Sequence, residues 1–146
     1  MSTPRLKTLA IACGGTGGHF YPGLTLAREY RRAGGDVVLF LGGHLADEQC
    51  AIARDEGFVT VRTPAVRLPR NPLAAMVFPF RFLLCLWRCW RQLRRHRVEV
   101  ALGMGSFASV PLGLGAVLAG IPLALHEGNA TLGQANRFLR RAQRLR

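Results

Sequence analysis

The run Gly14-Gly15-Thr16-Gly17-Gly18-His19 concentrates more chemistry than any other stretch of the chain. Its four glycines leave the main chain bare, so a ligand can reach backbone N–H groups directly. An apolar run over residues 9–13 precedes it, and a helix-periodic segment follows from residue 21. The run is therefore a turn between a strand and a helix. A helix start presents unpaired N–H groups and partial positive charge. Together these features favour a phosphate or a diphosphate. His19 stands at that helix start. Neutral imidazole can accept a proton from a hydroxyl nucleophile. A capping role, or stacking on Tyr21, is equally compatible with the spacing.

Two familiar phosphate motifs are excluded. In G-x-G-x-x-G, counting from Gly15 puts Phe20 at the third glycine, and the second strand closes in Leu41-Gly42-Gly43 without the acidic residue that holds a ribose. No Gly-Lys-Ser/Thr follows the loop, so it is not a Walker loop.

Two later loops carry related chemistry. Gly103-Met104-Gly105-Ser106 repeats the logic of the first, suggesting two cradles for one diphosphate or one cradle for each of two ligands. His126-Glu127-Gly128-Asn129 breaks abruptly from the apolar Leu123-Ala124-Leu125. Glu127 and Asn129 could contact a hydroxyl-rich ligand such as a sugar. A plain turn with Asn129 as helix cap is the alternative.

The elements that must hold these loops alternate along the chain. Strands are expected at residues 6–13, 36–41, 58–62, 98–102 and 121–125, and helices at 21–33, 45–56, 73–97, 110–119 and 130–146. The third helix should break near Pro79. A proline-punctuated loop is expected at residues 63–72. Such alternation implies an α/β fold, a parallel sheet with helices on both faces. Residues 37–41 and 123–125 are apolar throughout, as strands covered on both faces should be. Gly113 and Gly115 would let their helix pack closely on the sheet. Ligands in such sheets sit beyond the carboxyl ends of the strands, where all three loops fall.

The charge is lopsided. Formal net charge is +12 over 146 residues, and residues 1–56 balance six basic against six acidic side chains. The excess therefore lies after residue 56 and points to an anionic partner. Residues 78–97 form a basic amphipathic stretch. On a helix, Arg81, Arg88, Arg91 and Arg95 group on one side, and Leu83, Leu86, Trp87, Trp90 and Leu93 on the other. This suits a helix lying in a membrane interface, with Phe78, Phe80, Arg81, Phe82, Trp87 and Arg88 as candidate contacts. An ordinary packed helix is the alternative. A mixed outcome is expected, with residues 72–81 reaching lipid and the remainder packing. Pro79, Arg81 and Arg88 argue against a spanning helix. No nucleic-acid motif is present, and the aromatics group with leucines.

The four cysteines (Cys13, Cys50, Cys85 and Cys89) lack metal-ligand spacing and read as reduced and buried, hence cytosolic. No metal site and no cofactor are expected. The beginning of the chain does not read as a signal peptide. Arg137, Arg140, Arg141, Arg144 and Arg146 crowd the last helix, which stops without a cap and reads as a truncated or split protein.

With these motifs in order, the chain resembles the N-terminal half of the MurG family of GT-B glycosyltransferases. Gly14 to His19 with Tyr21-Pro22, then Gly103-Met104-Gly105, then His126, Glu127 and Asn129 carry the likeness, which covers nearly the whole chain. The family usually has Gly-Tyr where Ser106-Phe107 stand and Gln where Gly128 stands. The resemblance implies a Rossmann-like acceptor- and membrane-binding domain over residues 1–146, with a donor-binding domain missing. It implies transfer of N-acetylglucosamine from UDP-GlcNAc onto an undecaprenyl-diphosphate-linked muramoyl peptide in peptidoglycan synthesis. Under it the two glycine loops hold the acceptor diphosphate, and His19 is the candidate base. Thr16 and Asn129 lie near the donor sugar, and residues 72–90 dock on anionic lipid. UDP-GlcNAc binds mainly through the missing domain. The implied location is peripheral, on the cytoplasmic face of the plasma membrane. A non-catalytic lipid-diphosphate-binding subunit of a split enzyme, as in the eukaryotic pair that makes chitobiosyl dolichol, is the alternative.

Overall fold

The computed structural model describes residues 5–64 and 68–145. The expected loop at 63–72 lies partly outside these residues, as does Arg146. The order is β1 (Leu9–Ala12), α1 (Gly17–Arg32), β2 (Val37–Leu41), α2 (Ala46–Asp55), β3 (Val59–Arg62), α3 (Pro72–Arg95), β4 (Val100–Gly103), a 3-10 turn (Phe107–Ser109), α4 (Val110–Ala119), β5 (Leu123–Leu125) and α5 (Gln134–Arg144). All strand pairings are parallel, in the spatial order β3-β2-β1-β4-β5. Leu9 is level with Val37 on one side and Val100 on the other.

The central strands are covered on both faces, so alternation along them feeds two cores. Leu9, Ile11, Val37, Leu39 and Leu41 meet Phe20, Leu24 and Ala27 of α1 and Cys50 and Ala53 of α2. Ala10, Ala12, Val38, Phe40 and Ala101 meet Cys85, Cys89 and Leu93 of α3 and Leu112 and Ala116 of α4. Fully burying each large apolar side chain stabilises by about 1.5–3 kcal/mol. A smaller cluster seats α5 on α4 through Val110, Ala135 and Leu139.

Several expectations are corrected. α1 begins at Gly17 rather than 21, so half of the first glycine loop is the first turn of a helix. α3 runs through Pro79 without a break. Pro79 and Ala75, whose carbonyl loses its partner to the proline ring, are both exposed, so water can take that bond. β5 is an edge strand, half-exposed rather than doubly covered. Gly113 and Gly115 serve helix contacts, not the sheet. A Cβ on Gly113 would meet the Leu139 side chain of α5, and one on Gly115 would stand 3.3 Å from the Trp90 nitrogen of α3. α5 begins at Gln134 rather than 130, because residues 126–133 are organised as a separate turn.

Candidate functional site

The loops after β1, β2 and β4 converge at the carboxyl edge of the sheet around one cavity of about 430 Å³. The first loop contributes Gly15, Thr16 and His19, and the third contributes Gly105, Ser106 and Phe107. The middle loop adds Gly43 and His44. Pro64, Ala108 and Pro111 close the wall.

Close backbone packing brings these loops together. A Cβ on Gly14 would collide with the Gly42 backbone, so the first two loops meet main chain to main chain. Gly14 is thereby consumed in packing and does not line the cavity. Gly105 has φ +94°, the left-handed conformation that side chains disfavour. The Ser106 hydroxyl donates to the Gly14 carbonyl at 3.0 Å, joining the first and third loops. Ser109 in turn donates to the Ser106 carbonyl at 2.6 Å. The serine that departs from the family pattern is thus used as a strut. At the helix start, His19 N–H and Phe20 N–H reach back to the Thr16 carbonyl. The amides of Gly17 and Gly18 come before the first intrahelical bonds and keep their donor capacity.

His19 is held by one bond of clear polarity. Its Nδ1 lies 2.8 Å from the Met104 carbonyl oxygen. A carbonyl only accepts, so Nδ1 carries the proton and, in the neutral ring, Nε2 is the free acceptor. The bond ties the catalytic candidate on α1 to the third loop, 85 residues away in the chain.

The polar quartet after β5 lies behind the cradle instead of in it. His126 N–H donates to the Gly103 carbonyl at 2.8 Å. The Glu127 carboxylate accepts from Gly133 N–H at 2.8 Å, Asn129 N–H at 3.1 Å and the Asn129 and Asn136 amides. The Gly133 and Asn129 N–H groups hold that carboxyl below its usual range. Glu127 therefore organises a turn, and Asn129 is one of its donors. Gly133, not Asn129, precedes α5, and no side chain caps that helix. Among the expected residues, Gly14, Gly17, Gly18, Gly103, His126, Glu127 and Asn129 do not line the cavity.

Sequence reasoning missed several residues of the site, His44 and Asn136 among them. His44 follows the Gly42-Gly43 turn and sits on the cavity rim. A histidine directly after a strand-ending glycine pair was the available signal. Asn136 is fully buried, and its amide donates to the His126 carbonyl at 2.8 Å and to Glu127 at 3.1 Å. It locks the turn behind Gly105, where an added Cβ would stand 3.4 Å from its nitrogen.

The cysteines are all buried and free. Burial, with Cys50 nearby, pushes the Cys13 thiol up to about 12, so it is not a nucleophile.

α3 carries the membrane candidates. Among the described residues it is the one helix long and apolar enough to cross a bilayer by length and composition. It is also built into the fold, because removing it would uncover Val38, Phe40 and Ala101. Phe80 (75% exposed), Leu73 (72%) and Met76 (71%) face out, as do Arg81, Trp87 and Arg88. Phe78 and Phe82 instead turn inward and stack at 5.8 Å. The expected apolar side is also corrected. Leu93 is buried with Cys85 and Cys89, while Leu83, Trp87 and Trp90 are exposed. The small cysteines let α3 approach the sheet, which leaves the bulkier side chains outside.

Residues 9–144 match the glycosyltransferase family 28 N-terminal domain. A UDP-N-acetylglucosamine–N-acetylmuramyl-(pentapeptide) pyrophosphoryl-undecaprenol N-acetylglucosamine transferase from Hahella chejuensis is 37% identical over 138 residues, covering 94% of this chain and 38% of that protein. The transferase of the same name from Nitrosospira multiformis is 39% identical over 136 residues, covering 92% and 37%. The chain thus spans less than two fifths of these relatives. The crystal structure of Acinetobacter baumannii MurG superposes with TM-score 0.77 at 26% identity, over 94% of this chain and 39% of that one. A Streptomyces glycosyltransferase complexed with thymidine diphosphate shares the fold, with TM-score 0.58 at 17% identity over 82% and 38%.

Proposed function

This chain belongs to glycosyltransferase family 28, and we propose that it forms the acceptor-binding half of an enzyme that moves N-acetylglucosamine from UDP-GlcNAc to an undecaprenyl-diphosphate-linked muramoyl peptide. The convergence of Gly15, Thr16, His19, Gly105 and Ser106 on one cavity carries the reading. Backbone amides bared by glycine, beside the start of α1, suit the acceptor's diphosphate. The proton of the attacking sugar hydroxyl passes to Nε2 of His19, while the Met104 carbonyl keeps the ring in the tautomer that can take it. The hydroxyl oxygen bonds to the anomeric carbon as the bond to UDP breaks. UDP-GlcNAc is held mainly by a second domain.

The acceptor's tail stays in the bilayer, so the enzyme must dock there. The exposed apolar and arginine side chains of α3 support peripheral docking on an anionic, cytoplasmic membrane face, with the helix lying in the interface rather than spanning it. No nucleic-acid partner is proposed.

The test joins this chain to the donor-binding half of the Hahella chejuensis relative and supplies labelled UDP-GlcNAc and the lipid-linked acceptor. His19→Ala is expected to lower turnover by about 10²–10⁴ with little change in acceptor KM. Turnover within a factor of about two of the parent would remove His19 from the chemistry. His19→Gln checks that the loss is not one of folding.

A further inference from the structure

We propose that an apolar cavity beside the glycine-loop cavity binds the isoprenoid units nearest the diphosphate of a polyprenyl diphosphate. This rests on the acceptor reading above. The cavity is about 360 Å³, within the size range of small-ligand sites, roughly 300–1,000 Å³. Phe78 and Phe82 of α3 form one wall, Phe107 and Val110 a second, and Ala135 and Phe138 of α5 a third. Among the described residues that line it, Gln134 is the one polar side chain and none is charged. A sugar or a peptide would find almost nothing to hydrogen-bond. A hydrocarbon needs only surface to cover.

The position selects the hydrocarbon. Phe107 lines both cavities, so the diphosphate cradle and the apolar space meet at one ring. A ligand with its diphosphate among Gly15, Gly105 and Ser106 has a continuous apolar path past Phe107. On the outer surface of the same helix, α3, Leu73, Met76, Val77 and Phe80 are exposed. Arg137 and Arg141 flank Phe138 along α5, as cations placed for an anionic surface around the exit. The cavity holds a short segment of chain, and the remainder lies in the bilayer. Leaving Phe138 52% exposed and Phe107 37% exposed in the same apolar patch fits a surface that an apolar ligand covers.

The experiment is calorimetric titration of this chain with inorganic diphosphate and with farnesyl diphosphate below its micelle concentration, with no membrane present. Farnesyl diphosphate is expected to bind about tenfold tighter, since each buried methylene contributes part of a tenfold step. Gln134→Trp fills the cavity, and Phe138→Asp places a charge in its wall. Each should return farnesyl diphosphate to the affinity of inorganic diphosphate and leave the latter unchanged. Phe80→Asp, on the outer surface of α3, should leave the preference intact. Equal affinity for the two ligands overturns the proposal, as does a preference that survives both cavity variants. Farnesyl diphosphate binding that responds to both cavity variants, with no binding of inorganic diphosphate, would uphold the cavity and reject the diphosphate cradle.

Discussion

The layer of α1 and α2 and the layer of α3, α4 and α5 cover the same sheet with opposite outer surfaces. All four ion pairs among the described residues involve the first 62: Arg5 with Asp36, Arg28 with Glu56, Arg32 with Glu29, and Arg62 with Asp47. On the second layer Arg81, Arg88, Arg91, Arg94 and Arg95 of α3 and Arg137, Arg140, Arg141 and Arg144 of α5 have no such pair among the described residues. The same layer exposes Leu73, Met76, Phe80, Leu83 and Trp87. One layer neutralises itself and suits water. The other couples unpaired cations with bare hydrocarbon, a combination that an anionic interface satisfies on both counts. The +12 charge is thus a localised feature of one surface rather than a property of the whole molecule.

The sharpest break in this comparison comes from charge placed in the hydrocarbon band. Phe80→Asp with Leu83→Asp should abolish flotation with anionic liposomes, a loss of about a hundredfold or more in partitioning. Tyr21→Asp with Leu26→Asp, exposed on α1, should leave flotation unchanged. Equal losses from the two pairs would mean that neither layer is special. Next in size is the electrostatic contribution. Arg81→Glu with Arg88→Glu should weaken binding about tenfold or more, at roughly 1 kcal/mol per cation near the surface, and the loss should shrink as salt rises. Arg31→Glu with Arg32→Glu on α1 is the matched control.

The smallest effect belongs to the self-neutralised layer. The hydrogen bond from Arg28 holds the Glu56 carboxyl below its usual range. Its folded value lies below its unfolded one, so its stabilising effect is present above the unfolded carboxylate range. That effect fades as pH falls through the folded value. Melting temperature of the parent should therefore drop slightly more on acidification than that of Glu56→Gln. Identical slopes would show the pair to be inert, as many exposed pairs are.

The strand–helix alternation was legible because Val37–Leu41 is uniformly apolar and because glycines at 34, 57 and 120 mark element ends. Boundaries failed where a residue type carries two meanings. Gly17 and Gly18 read as loop, although glycine also starts a helix. Pro79 reads as a break, although an exposed proline is tolerated when water takes the orphaned carbonyl. In the candidate site, Gly15, His19, Gly105 and Ser106 were visible because glycine loops after strands are local patterns. His44, Pro64, Phe107 and Pro111 were not, since which loop tips touch depends on strand order. Asn136 hid for a related reason: a polar residue in a helix reads as exposed, and only the fold places it at 0% exposure beneath a turn.

The central claim is that bared amides of the glycine loops, not the arginines of the second layer, grip the acceptor's diphosphate. Titrating inorganic diphosphate into ¹⁵N-labelled chain and following amide shifts separates the two regions residue by residue. The largest shifts should fall on Gly15, Thr16, Gly105 and Ser106, which line the cavity. Shifts concentrated at Arg88, Arg91 and Arg95, with the glycine amides unmoved, would contradict it.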